Sequence, residues 1–200
     1  MIVRLPALLS LALLCCLALP CATLAAGNAT GLPRDYQEFK QRYASRGKNL
    51  EGAVKLYFDA VFCYITRPEA QRGEALKMLR YAQHRNRDWE RTQPASTFME
   101  RLNNPQYHHI FRSFAAGTSP ENNYRMTPEN YQLMFAGSRK QGGLTLVYLR
   151  SSGADNVRMV TMRRYDDGLW YMTENAGTYA QVREPVGARN QHSHDADYDR

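Results

Sequence analysis

Hydrophobic positions change their spacing along this 200-residue chain. Leu50, Val54, Tyr57, Phe58, Val61, Phe62 and Ile65 recur at intervals of three and four, which is one face of an α-helix, and Glu51, Lys55 and Asp59 fall off that face. Asn49 is a good N-cap for this helix and Pro68 closes it. Tyr36, Phe39 and Tyr43 predict a shorter helix that stops at Gly47. A further helix opens at Pro68, where the missing N–H costs least, and turns Ala75, Leu76, Leu79 and Ala82 inward. The polar stretch 84–94 reads as a connection. Ser96 caps a short helix running to Leu102, and Pro105 starts another in which Tyr107, Ile110, Phe111 and Phe114 share a face before Gly117.

After a local repeat, Ser119-Pro-Glu-Asn-Asn and Thr127-Pro-Glu-Asn, which is turn chemistry, the period changes to two. Strands are expected at 131–136, 144–150, 157–165 and 169–174, with a short edge strand at 178–184. The short joins Lys140-Gln-Gly-Gly143, Ser151-Ser-Gly-Ala-Asp-Asn156 and Asp166-Asp-Gly168 favour an antiparallel meander. In the last hairpin Met162 should oppose Met172, Arg163 should oppose Tyr171, Arg164 should oppose Trp170, and Thr161 should oppose Thr173. The fold class is therefore α+β: N-terminal helices packed on a C-terminal antiparallel meander of about four strands, with a cone-shaped architecture and an internal pocket expected.

Residues 1–26 follow neither period. Arg4, the apolar run from Leu5 to Leu19, Pro20 and the small residues Ala22, Thr23, Ala25 and Ala26 have the order of a secretory signal peptide. Cleavage is expected after Ala26, with Ala25 and Ala29 as alternatives. Pro20 interrupts the run short of a membrane span, so no stable membrane insertion is expected after cleavage. A flexible leader (27–34), one domain (35–186) and a disordered tail (187–200) complete the expected organisation. Of the four cysteines, Cys15, Cys16 and Cys21 leave with the signal, and Cys63 remains as a small buried hydrophobe with no disulfide partner. Pro20 before Cys21 and Leu14 before Cys15 are poor contexts for lipidation.

Composition narrows the function classes. With 44% apolar and 22% charged residues the chain has an ordinary globular make-up. Its 26 basic residues against 19 acidic ones give a net charge of +7, but Lys and Arg are spread without a dense run, so nucleic acid is an unlikely partner. No P-loop, dinucleotide fingerprint or Gly-x-Ser-x-Gly elbow is present, and no cofactor is expected. His108 and His109, adjacent on a helix, diverge by about 100° and do not grip one ion. His84 is expected on a solvated surface. The tail residues His192, His194, Asp195, Asp197 and Asp199 have ligand chemistry but no rigid frame, so no metal site is expected. Ser151, Ser152, Asp166 and Asp167 are explained as hairpin and turn formers.

The segment Val147-Tyr-Leu-Arg-Ser-Ser-Gly-Ala-Asp155, with Arg158, Val160, Met162-Arg163, Asp167-Gly-Leu-Trp-Tyr171 and Glu174-Asn175, resembles an uncharacterised family of exported bacterial domains. The helices followed by a meander closing on Asp-Gly-x-Trp are loosely similar to the nuclear transport factor 2-like superfamily, whose cone-shaped members include small enzymes, binding modules and dimerisation domains. This chain lacks that superfamily's strand pair between the early helices. The resemblance implies a fold more than a chemistry.

One candidate surface is left, a charged and aromatic sheet end carrying Arg150, Arg163, Arg164, Tyr171 and Glu174, with Trp170 packed beneath it. The reading that follows is an exported, periplasmic, non-catalytic domain that binds a small ligand or a protein partner there. The alternatives are a small cone-fold isomerase or hydrolase, or a homodimer serving envelope assembly or toxin neutralisation.

Overall fold

Asp35 starts the first helix by accepting the Glu38 N–H at 2.8 Å, so α1 runs Tyr36–Arg46 and ends at Gly47. Asn49 caps α2 (Leu50–Thr66) in the same way through Gly52 N–H at 2.9 Å. Then come α3 (Glu69–Ala82), α4 (Ser96–Asn103) and the single-turn α5 (His108–Arg112). The computed structural model describes residues 31–85 and 89–188. The signal segment, the start of the leader with residues 27–30, and the tail from 189 onward, with its histidines and aspartates, lie outside the described residues.

The strands are β1 (Phe135–Gln141), β2 (Leu144–Leu149), β3 (Arg158–Arg164) and β4 (Trp170–Glu174), paired antiparallel in the order β1-β2-β3-β4. This is the expected α+β meander. The first strand lies later than its expected span because Gly142 and Gly143, both at positive φ, make the whole turn between them, and this frees Lys140 and Gln141 to pair with Thr145 and Leu144. In the last hairpin Met162 opposes Met172, Arg163 opposes Tyr171 and Arg164 opposes Trp170, as the pattern implies. Thr161 opposes Glu174 instead of Thr173, because a register shift between Thr161 and Met162 lets two β4 residues face one. No edge strand forms at 178–184. A 3-10 turn at Ala176–Thr178 lies against β3 at that point, and a Cβ on Gly177 would come within 2.2 Å of the Met159 carbonyl oxygen.

The core centres on α2, whose residues from Val54 to Ile65 are buried except Lys55, so nearly its whole circumference is enclosed, beyond the expected single face. It packs on α1, α3, α4, α5 and β4. Val147, Leu149, Val160, Met162 and Met172 complete the core from the sheet. Residues 31–34, expected within a flexible leader, are tied to the helices: Arg42 donates to the Gly31 carbonyl at 2.5 Å, and the Pro33 carbonyl accepts from Arg67 and from the Cys63 thiol at 3.6 Å. The two Pro-Glu-Asn segments form turns, with Tyr124 N–H bonded to Ser119 O at 2.9 Å and Asn130 N–H to Thr127 O at 3.0 Å.

Candidate functional site

Tyr171 is only 3% exposed, which corrects the expectation that it faces outward beside Arg163. Its ring stacks on Tyr43 at 5.4 Å and meets Tyr81, Tyr165 and His84 edge-on at 5.9, 5.4 and 5.1 Å. Its hydroxyl donates to Asp167 Oδ2 at 2.7 Å, so the turn residue Asp167 also locks the strand behind it. Burial, and then Asp167 and Tyr81, push the Tyr171 phenol far above its ordinary value, and it stays neutral. Trp170, expected in the core, is only partly buried. Its backbone is pinned instead, with N–H on the Gly47 carbonyl at 2.8 Å and its carbonyl accepting from the Tyr43 hydroxyl at 2.7 Å.

The other expected site residues separate. Arg163 is exposed, with its guanidinium 5.4 Å from the Tyr165 ring centroid. Arg164 is exposed and donates from Nε to the Gly168 carbonyl at 3.1 Å, which ties it to its own turn. Arg150 lines a different, small depression of about 170 Å³ with Ser151, Ser152 and Asp155. Glu174, at the end of β4, borders a larger concavity of about 690 Å³ together with His84, Arg85, Trp89, Thr92, Phe98, Asn175 and Tyr179.

Local geometry builds that concavity. His84 takes a positive φ just after α3, and Arg85 N–H closes on the Arg80 carbonyl at 2.8 Å, so the chain reverses there. The reversal lays the exposed imidazole of His84 flat on Tyr165, at 4.2 Å and 26°. Arg85 donates to the Thr173 carbonyl at 2.8 Å and lies 5.8 Å from the Trp89 ring. Trp89 and Tyr179 flank Phe98 at 5.7 and 5.4 Å. Beneath them Asn175 donates to the Tyr57 hydroxyl at 3.0 Å, Tyr57 bonds Thr178 Oγ1 at 2.8 Å, and Thr178 donates back to the Asn175 carbonyl at 2.8 Å. Because Thr178 uses its only proton on Asn175, the Tyr57 proton points at Thr178, and the ring of bonds is closed. The floor is thus rigid.

The rim carries the Glu174 carboxylate, one oxygen of which accepts Ala176 N–H at 2.8 Å, beside Arg85 and His84. Burial, followed by the nearby Glu174, raises the Tyr179 phenol. Trp89 and Phe98 are buried and back the wall, so the half-buried ring of Tyr179 is the aromatic face left open, beside a mixed set of hydrogen-bonding groups, which suits holding a small molecule by one flat face. Trp89, Phe98, Asn175 and Tyr179 were not among the expected site residues. The signal was there in Trp89, a large apolar residue inside a stretch otherwise read as a polar connection, and it is 7% exposed.

His108 and His109 are both buried and send ring nitrogens to separate carbonyls, His108 Nε2 to Leu102 at 2.9 Å and His109 Nδ1 to Gln106 at 2.7 Å. Asp59, left off the helical stripe, is 1% exposed and is held by Lys55 and Tyr131.

Residues 31–186 match the model of a family described as Domain of unknown function (DUF6935), and the chain belongs to that family. No curated protein matches the chain, and no solved structure does.

Proposed function

We propose that this DUF6935 member is an exported, non-catalytic domain that binds a small ring-bearing ligand in the concavity between α3, α4 and the end of β4. The observation that carries the reading is the aromatic series Trp89, Phe98 and Tyr179 set over a closed hydrogen-bond ring and bordered by Glu174, Arg85 and His84. An apolar wall with a few convergent polar groups is the usual construction of a small-molecule site. The loose similarity to the nuclear transport factor 2-like cone agrees with a pocket framed by helices and a meander. Export rests on the composition of residues 1–26, and a periplasmic location is part of the same reading.

Isothermal titration of the purified protein with adenosine, phenyl β-D-glucoside and L-phenylalanine tests the binding. At least one of these probes should bind, and Tyr179→Ala should weaken it about tenfold, equivalent to about 1.4 kcal/mol, with the melting temperature little changed. Binding of none of them, or equal binding by the variant, overturns the assignment of this concavity. Export is tested separately by the intact mass of the native protein, which should correspond to a chain starting near Gly27. A mature form beginning at a diacylated Cys21 would replace this reading with a lipoprotein.

A further inference from the structure

α5 turns two side chains toward a second concavity, of about 410 Å³, between the turn at Pro105–Tyr107, Asn123 and the segment 181–188. One is His109, 8% exposed. Its Nδ1 lies 2.7 Å from the Gln106 carbonyl oxygen, a contact that requires a proton on Nδ1 and leaves a lone pair on Nε2. That Nε2 is buried and has no hydrogen-bond partner among the described residues. Buried polar atoms in folded proteins are nearly always bonded, so this unpartnered acceptor, within a residue that lines the concavity, marks the place of a donor that must reach in from it. The other side chain is Arg112, half-buried on the same wall, whose guanidinium has no hydrogen bond or ion pair among the described residues. Burial alone lowers its pKa, with no carboxylate acting against it. Glu184, exposed to solvent, adds a carboxylate to the rim.

An occupant must therefore offer a negative group to Arg112 and an O–H or N–H to His109. A divalent cation would satisfy the lone pair but is opposed by the Arg112 charge, and a donorless anion such as sulfate leaves His109 unbonded. We propose that this concavity is a binding site for a small hydroxycarboxylate, with the carboxylate on Arg112, the hydroxyl donating to His109 Nε2, and the carbon chain against Tyr107. The site is separate from the aromatic concavity at Glu174, and its test stands or falls independently of that reading.

The probes are glycolate, L-lactate and L-malate, with acetate, glycolamide and inorganic phosphate as controls, titrated into the full chain by calorimetry and by 15N NMR of the histidines. A hydroxycarboxylate should bind at least about tenfold tighter than acetate, a difference of about 1.4 kcal/mol. The pyridine-type 15N resonance of His109 should move with that ligand and not with acetate. Arg112→Gln should remove binding, and His109→Phe should erase the preference over acetate. The wild-type NMR readout keeps the test decisive where His109→Phe fails to fold. No movement of the His109 resonance with any of the three hydroxycarboxylates, tighter binding of phosphate or glycolamide, or full binding by Arg112→Gln overturns the proposal.

Discussion

The phenol of Tyr131 donates a 2.9 Å hydrogen bond to Oδ1 of Asp59, 72 residues earlier in the chain. Lys55 Nζ lies 2.5 Å from the same oxygen and 3.6 Å from the Tyr131 ring centroid, so one buried carboxylate ties a helix to the segment that precedes the sheet. Burial, and then Asp59, raises the Tyr131 phenol well above its ordinary value and keeps it a donor. Tyr131→Phe keeps the ring and removes the bond to a charged acceptor, and should cost roughly 1.5–3 kcal/mol in urea unfolding. A loss below about 0.5 kcal/mol, the usual range of a neutral surface change, would mean the carboxylate is satisfied without Tyr131.

Burial of Tyr171 reverses the stability ranking that the alternation along β4 suggests. Tyr171→Ala should cost about 3–5 kcal/mol, because it removes the ring on which Tyr43, Tyr81, Tyr165 and His84 converge. Trp170→Ala should cost less than Tyr171→Ala. Arg163→Ala, at an exposed position, should stay within about 0.5 kcal/mol. Equal loss in Tyr171→Ala and Arg163→Ala by denaturant unfolding would contradict the packing described.

Cys63 lies fully buried in α2, and burial pushes its thiol up to about 12. The thiolate is the reactive form, so native protein at neutral pH should label slowly with a maleimide and at the rate of a free thiol once unfolded. Fast labelling of the folded protein would show that this part of α2 opens to solvent.

Acid should act through two sets of groups. Burial alone would raise the Glu38 carboxyl, but hydrogen bonds from Arg34 and Arg42 outweigh it and hold the group at about 2, below its ordinary 4.5. Between those values the unfolded chain binds the proton and the folded chain does not. The contribution of Glu38 is therefore complete above pH 4.5 and is lost as pH falls toward 2, on the order of 2 kcal/mol once solvent screening of this surface cluster weakens it. Burial also lowers His108 and His109 below 6.5, so a further loss of stability begins as pH drops under that value. Urea unfolding across pH 2–8 should show both declines, and Glu38→Gln should flatten the lower one.

Local pattern carried a long way in this chain. The cap Asn49, the stripe on α2, the paired glycines between β1 and β2 and the Asp-Asp-Gly turn before β4 act through neighbours a few residues apart, and a sequence displays such neighbours directly. The meander followed from them, as did the pairing of Met162 with Met172. Glu174 alone among the expected site residues lines the aromatic concavity.

Contacts between distant segments set everything else. Tyr171 alternates as a strand residue should, yet whether it meets solvent or a helix depends on Tyr43 and Tyr81 arriving from ninety or more positions away. Asp59 reads as the polar side of α2 until Tyr131 and Lys55 close over it. Trp89 and Tyr179 become two walls of one concavity only because Phe98 stands between them. Charge, capping and periodicity are properties of a chain and its nearest neighbours, so sequence determined the main helices, the four-strand meander and their order, though not the edge strand expected at 178–184. Burial is a property of what packs on top, so only the tertiary structure decided which side chains are left to meet a ligand.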